Sequence, residues 1–308
     1  MSGVHNEELT SLKHQTVSTF LTPLRPVRDG TPIIGIDVSS VRIGETDNGV
    51  IYAVRGTIVR KKEQRYRYVR LGPFPFHITE ENKGEILIHL GQRFSRAMSL
   101  GTLTLVEAQS HLCNLVERWT QMSIAFSESD SVILWDGSLT AGTPGNTVSA
   151  VSQILQVAER NSNSILAFSK ATTVRFFGLR ITDLIAKNEP PCLFELDGLP
   201  LSISKTVHLL GRICVTKLTA GGCSFRLDID RNLPREQGVE AVERLLGNES
   251  LFQGYPESLR LAHIYSTFTA NDIIGIRRYL AQEYGLEIVR RLNMHRTLFG
   301  PYGTGFED

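Results

Sequence analysis

Between residues 32 and 168 the spacing of hydrophobic positions changes several times, and each change marks an element. Pro32-Ile33-Ile34-Gly35-Ile36 is a short apolar β-type run closed by Asp37. Residues 50–59 (VIYAVRGTIV) are β-rich, and Asp47-Asn48-Gly49 just before them supplies residues that tolerate the left-handed backbone of a tight hairpin turn. A third strand is predicted over residues 65–71, where Tyr66 and Tyr68 alternate with Arg65, Arg67 and Arg70. The period then lengthens. Ile86, Leu90 and Phe94, and after them Leu105, Ala108, Leu112, Leu115, Val116 and Trp119, recur at helical spacing, which predicts two helices parted near Gly101.

Further along, residues 132–135 predict a buried strand ending in Asp136-Gly137. Residues 147–160 form an amphipathic helical pattern with Val151, Ile154, Leu155 and Ala158 on one face, and residues 165–168 give the next strand. Helix is expected around residues 183–186, strands over 193–196, 212–218 and 224–229, and helices over 235–246 and 257–284, the last broken near Thr269. This order predicts an α/β fold, one mixed β-sheet flanked by helices, with additional C-terminal strands and helices. Residues 1–30, polar and carrying Pro23 and Pro26, read as an N-terminal arm, and residues 31–308 as one globular domain.

Composition narrows the function classes. Of 308 residues, 41% are hydrophobic and 21% charged, enough apolar material to offset the entropy of ordering the chain, so disorder is excluded as the main state. The 33 Lys+Arg against 32 Asp+Glu leave a net charge of +1, so a polyanionic partner has to be met by a local patch. Arg60, Lys61, Lys62, Arg65, Arg67 and Arg70, interleaved with Tyr66 and Tyr68, offer such a patch: a ribbon able to follow phosphates while its aromatics stack on bases, or equally a solvated edge strand guarded by its charges. The first ten residues, with Glu7 and Glu8, lack the apolar run of a secretory signal, and no uncharged stretch is long enough for a membrane helix. Cys113, Cys192, Cys214 and Cys223 form no CxxC pair, which favours reduced thiols in a cytoplasmic protein.

Asp37 and Asp136 share a local design: apolar strand residues, the carboxylate, then small or turn residues, Val38-Ser39-Ser40 and Gly137-Ser138. Side chains at the carboxyl ends of α/β strands meet ligand rather than core. Taken singly, each Asp is an ordinary turn or helix cap; taken together, the two also fit an oxygen-rich site for Mg²⁺ or Mn²⁺. The helix before the Asp136 strand offers Glu107 and Glu117 as a third carboxylate. Glu117 is the better placed, at the edge of the buried stripe, whereas Glu107 sits near the helix start, where a carboxylate favours the dipole.

Gly35-Ile36-Asp37-Val38-Ser39-Ser40, Leu134-Trp135-Asp136-Gly137-Ser138-Leu139, Ser169-Lys170 after a strand, and Tyr255-Pro256 followed by His263 together resemble the NurA family of DNA nucleases. The intervals match as well: 19 residues from Glu117 to Asp136 and eight from Tyr255 to His263. The resemblance covers roughly residues 30–300. It implies an RNase H-like sheet, a divalent-metal nuclease preferring Mn²⁺, with Mg²⁺ as the second choice, a homodimer, and work with a HerA-type hexameric ATPase in DNA-end resection during double-strand break repair. It also implies Asp37, Glu117, Asp136 and His263 as the metal-binding set, Tyr255 as the associated tyrosine and Lys170 as the lysine after the strand. Val38 departs from the family, in which that position is smaller in many members.

Two other classes remain. A strand ending in GIDxSS also opens the ATP-binding half of actin-like and sugar-kinase folds, where Asp37 orients Mg²⁺-ATP and Asp136 acts in hydrolysis or phosphotransfer. Those folds need later glycine-rich turns, and Gly221-Gly222 is the one tandem glycine in the chain. The third class is a non-catalytic DNA-binding adaptor of a motor.

Overall fold

The computed structural model describes residues 21–91, 104–143, 146–176, 178–196, 207–289 and Leu298. Nine strands build one sheet: β1 (Leu21–Pro23), β2 (Ile33–Glu45), β3 (Gly49–Lys62), β4 (Arg65–Thr79), β5 (Val132–Asp136), β6 (Ser164–Ser169), β7 (Cys192–Glu195), β8 (Gly211–Lys217) and β9 (Ser224–Asp230). Among the described residues six helices accompany them: α1 (Lys83–Gly91), α2 (Leu105–Ser127), α3 (Val148–Arg160), α4 (Arg235–Asn248), α5 (Glu257–Ser266) and α6 (Ala270–Tyr284). The strand order is β1-β7-β8-β9-β6-β5-β2-β3-β4. Only the central β2–β5 and β5–β6 pairs are parallel. The remaining pairs are antiparallel, so the sheet is mixed, as the element order predicts.

Alternation within the strands divides the core. Ile33, Val132, Leu134, Leu166 and Phe168 meet Ala241, Val242 and Leu245 of α4 and Leu259 of α5 on one face. On the other, Ile34, Ile36, Ile133, Trp135, Ile165 and Ala167 meet Ile124 and Ala125 of α2 and Val151, Ile154, Leu155 and Ala158 of α3. The central strands β5 and β6 and the first part of β2 bury both their odd and their even positions, which explains why these runs read as continuous apolar segments. Helix α6 continues the first face, with Ile276 and Leu280 against Ile43, Ile51 and Ala53.

Local signals set most boundaries. Thr46 N–H donates to the Gly49 carbonyl in the expected β2–β3 turn (2.9 Å). Thr147 caps α3 by accepting from Ala150 N–H (3.2 Å). The long helical pattern near the C-terminus is broken at Thr267–Thr269, where Thr269 and Asp272 form the capping box that starts α6. The expected break near Gly101, and Phe94, lie outside the described residues.

Three expectations change. Strand β4 runs on to Thr79 through Pro73 and Pro75. It is the outermost strand of the sheet, where a residue without an N–H can face outward. The helix expected around residues 183–186 is a single 3-10 turn, Ile181–Asp183. Of the arm expected over residues 1–30, Leu21–Pro23 pairs with Cys192–Phe194 as the other outermost strand, Leu24 is buried, and residues 1–20 lie outside the described residues. Among the described residues no helix is long and apolar enough to cross a membrane, and Cys113, Cys192, Cys214 and Cys223 form no disulfide.

Candidate metal centre

The expected strand end at Asp37 is instead mid-strand, since β2 runs on to Glu45 along β3; the parallel register sets Asp37, just past the β2–β5 pairing, beside the ends of β5 and β6. Ile33 and Gly35 lie opposite Val132 and Leu134, which lie opposite Ser164 and Leu166, and Asp136 lies opposite Phe168. Because side chains alternate, Asp37, Asp136 and Lys170 continue the rows whose earlier members fill the α4–α5 core. Each is the first polar side chain past the end of that core.

Helix α5 closes over them. It comes so near that a Cβ on Gly35 would sit 2.6 Å from the carbonyl carbon and oxygen of Ser258, so only glycine lets the helix backbone rest on β2. At the other end of α5, the buried Ser266 hydroxyl donates to Asp37 Oδ2 (2.5 Å) while its carbonyl accepts from the Ser39 hydroxyl (2.5 Å). Helix and strand are thus fastened on both sides of the carboxylate.

His263 projects from α5 between these contacts. Its Nδ1 lies 3.2 Å from Asp37 Oδ2 and 3.7 Å from Asp136 Oδ2. One donor atom each from Asp37, Asp136 and His263 falls within 4.8 Å of the others. Lys170 places its Nζ 2.6 Å from Asp136 Oδ2 and 5.9 Å from the Tyr255 ring centroid. Burial holds Asp37 above the ordinary carboxylate range; the Ser266 hydrogen bond opposes this, the Asp136 charge reinforces it, and His263 and Lys170 oppose it.

Tyr255 stands in the wall of the site. A hairpin pairs Leu251–Phe252 with Tyr255–Pro256 through a two-residue turn, and the tyrosine ring packs edge-on to Phe168 (6.0 Å) and tilted against Phe225 (5.3 Å). Its buried hydroxyl faces the Asp136 carboxylate. Burial, then the charges of Asp136 and Asp37, keep that hydroxyl firmly protonated.

Glu117 approaches from the other face, on α2, and stands outside the 4.8 Å group. Gln121 Nε2 donates to it (2.9 Å) and Arg118 Nη2 lies 3.8 Å away. Burial raises its pKa, Arg118 lowers it, and the Asp37 and Asp136 charges raise it, so it shares the field of the centre without touching the cluster. Glu107 is exposed and closes a capping box with Thr104 at the start of α2; hydrogen bonds from Thr104 lower its pKa. Of the two glutamates, only Glu117 senses the aspartates.

Several supporting residues carried no recognisable spacing. The turn after Asp136 is tied down by Gly137 N–H to the Phe168 carbonyl (2.8 Å), by the Ser169 hydroxyl to the Gly137 carbonyl (2.7 Å), and by Leu139 N–H to Asp228 Oδ2 (3.0 Å). Asp228 is fully buried and receives Arg226 Nε and Nη2, both at 2.7 Å. Ser266 carries no local signal, whereas Ser39 belongs to the Val38-Ser39-Ser40 run after Asp37. A buried carboxylate beside its cation two positions away on one strand, Arg226-x-Asp228, is the one sequence signal that was available.

The basic ribbon does not survive as a single surface. Opposed residues share a face, so the pairs Lys61–Tyr66, Val59–Tyr68 and Thr57–Arg70 lie on the centre's face, and Arg60–Arg67 and Lys62–Arg65 on the opposite one. Lys61 is buried beside Glu249 (3.6 Å) and Ser250 (3.2 Å), which removes it from contact with a ligand. Arg60 pairs with Glu128 (2.9 Å). A cleft of about 280 Å³ on that opposite face is lined by Arg60, Lys62, Glu63, Arg65 and Arg67. Arg70 is the ribbon cation that is exposed on the centre's side. The tandem glycine Gly221-Gly222 is taken up by packing: a Cβ on Gly222 would meet the Gln253 carbonyl carbon and oxygen at 2.9 Å, under the hairpin that carries Tyr255.

No family model matches the sequence, and no curated protein matches it. Solved structures do match the fold. The NurA nuclease from Sulfolobus solfataricus is 17% identical and superposes with a TM-score of 0.56 over 91% of this chain and 95% of that one. NurA with manganese (11% identity) and NurA bound to dAMP and manganese (10%) each give 0.50, covering 92% and 94% of this chain and 96% of theirs. The chain has the fold of the NurA nucleases, a large mixed sheet flanked by helices.

Proposed function

We propose that this protein is a divalent-metal-dependent DNA nuclease hydrolysing phosphodiester bonds at the Asp37–Asp136–His263 centre. The observation that carries this reading is the convergence of those three donors, from two adjacent parallel strands and the helix over them, within 4.8 Å, with Lys170 beside them. Two carboxylates and one imidazole suit a hard to borderline ion, Mn²⁺ first and Mg²⁺ second. NurA structures that contain manganese, one of them with dAMP, support both the ion and the substrate class.

Asp37 and Asp136 would hold the ion through carboxylate oxygens, His263 through a ring nitrogen in its neutral form, and Glu117 would add negative charge from the other face. When bound, such an ion supplies Lewis acidity to a phosphoryl oxygen and a more acidic water. Lys170, a compact charge on a flexible stem, holds the scissile phosphate. Tyr255, kept protonated beside Asp136, offers a hydrogen bond to a phosphate oxygen. Ser266 engages Asp37 Oδ2, the oxygen that also faces His263, and so fixes the orientation of the carboxylate at the site. The resemblance extends the proposal to DNA-end resection in double-strand break repair, a HerA-type hexameric ATPase as partner and a homodimer as working unit, and the cysteine pattern adds the cytoplasm as compartment; sedimentation and reconstitution with such an ATPase test the assembly.

The primary test is cleavage of end-labelled single- and double-stranded DNA in Mn²⁺, Mg²⁺ or EDTA, with Asp37→Ala and Asp136→Ala alongside. Cleavage in Mn²⁺ that EDTA and both substitutions abolish is expected. Undiminished cleavage by either variant, or in EDTA, refutes the centre. If the isolated chain is silent the ATPase is added, and silence with it as well refutes the nuclease reading.

A further inference from the structure

Tyr66 and Tyr68 are equivalent in the sequence, and the fold separates them. The Tyr66 hydroxyl donates to the buried Glu249 carboxylate (2.6 Å), which commits it to structure. Tyr68 is 56% exposed, and its ring is stacked on that of Tyr265, centroids 4.5 Å apart with an interplanar angle of 28°. Tyr265 belongs to α5, two residues after the candidate ligand His263 and one before Ser266. The stack therefore stands on the centre's face, next to the helix segment that helps to build the centre.

Its surroundings suit a polyanion. Arg70 is the next residue of β4 on that face and is exposed, and residues 64–79 contain no acid. Lys170 lies partly exposed at the centre itself. An aromatic ring with one side already stacked has its rotamer fixed, so little freedom is left to lose when a second flat group settles on its outer side. Stacking of this kind accepts any base, but only a base whose face is uncovered, as in a single strand or a frayed end.

We propose that Tyr68, backed by Tyr265, is a stacking platform for a base of single-stranded DNA next to the metal centre, an inference that rests on the nuclease reading. The platform makes single-stranded or frayed ends the preferred form of the substrate. It assigns the aromatic part of recognition to one ring of the β4 ribbon and one ring of α5.

Binding of a labelled 20-nucleotide oligothymidylate and of a duplex of the same length, both in EDTA so that nothing is cleaved, tests this with wild type, Tyr68→Ala and Tyr68→Phe. Tyr68→Ala should weaken single-strand binding about tenfold, in line with the loss of one stacked base, leave duplex binding within about twofold, and leave the melting temperature unchanged. Tyr68→Phe, which keeps the ring, should bind like wild type. Equal single-strand binding by wild type and Tyr68→Ala, or an equal loss on duplex, overturns the inference alone. Wild-type protein that cleaves neither substrate in Mn²⁺, alone or with the ATPase added, and binds neither in EDTA overturns the nuclease reading and takes the inference with it.

Discussion

Ser266 shows how much of a metal centre resides in a residue that is not a ligand. It is wholly buried, and its hydroxyl sits 2.5 Å from Asp37 Oδ2. A hydrogen bond to a charged group contributes about 1.5–3 kcal/mol, and losing a partner that orients a ligand typically costs 10–100-fold in metal affinity. Asp37 needs that support because burial already works against its charged form. Ser266→Ala should therefore weaken Mn²⁺ binding about tenfold in a direct calorimetric titration, with a modest fall in melting temperature and Lys170 and His263 untouched. Ser266→Cys, which keeps a weak donor, should fall between. Wild-type Mn²⁺ affinity in a folded Ser266→Ala protein would show that Asp37 is oriented by other contacts.

At the scale of elements, α6 is pinned by one ion pair. Arg55, buried in β3, reaches Asp272 Oδ1 (2.8 Å) and lies over the Phe268 ring (4.3 Å), while Asp272 also caps its own helix through Thr269. The Arg55 hydrogen bond is the largest influence on Asp272, burial opposes it, the Thr269 hydrogen bonds add to it, and the net effect is a pKa well below 3.8. A carboxyl depressed in the folded state stabilises the fold above its unfolded pKa, and this contribution is lost as the pH falls through the folded value. Comparing urea unfolding of wild type and Asp272→Asn, the stability gap should be constant above about pH 5 and should shrink as the pH drops below about 4. A gap that is still constant at pH 3 would mean that the ion pair is not what Asp272 contributes. The elements around this helix were legible because their signals are local: Asp47-Asn48-Gly49 for the turn, the break near Thr269, the apolar runs ending in Asp37 and Asp136. What was not legible depends on partners distant in sequence. Leu21–Pro23 becomes a strand by pairing with Cys192–Phe194, and the Tyr255 hairpin needs Gly222 beneath it. Prolines in β4 hid its second half, because nothing local says that a strand will be outermost. The centre's Asp37, Asp136 and His263 stood out as residue types at the ends of apolar runs and on a helix; Ser266 and Asp228 did not, since their roles exist only once β2 meets α5 and β6 meets β9.

Over the whole molecule a net charge of +1 gives no long-range attraction for a polyanion, so DNA affinity has to come from individual cations on the correct face. Strand alternation decides which those are. Arg70 lies on the centre's face, Arg65 and Arg67 on the other, and Lys61 is inside with Glu249. Each phosphate contact to a single strand contributes about 0.7 to the slope of log affinity against log salt. Arg70→Gln should accordingly reduce the slope for oligothymidylate binding by about 0.7, while Arg65→Gln and Arg67→Gln leave it unchanged. Lys61→Met should behave differently again. Glu249 receives Tyr66 Oη, Ser250 N–H and Ser258 N–H as well as the lysine, so removing the cation strands a buried carboxylate at a cost of about 3–5 kcal/mol. That variant should melt at a much lower temperature yet keep the wild-type salt slope once folded, and Glu249→Gln added to it should restore most of the stability. A slope that drops equally for Arg65→Gln and Arg70→Gln would mean that DNA wraps the outer edge of β4 and touches both faces. In that case the cleft lined by Arg60, Lys62, Arg65 and Arg67 would belong to the DNA path, and the centre's face would no longer account for binding alone.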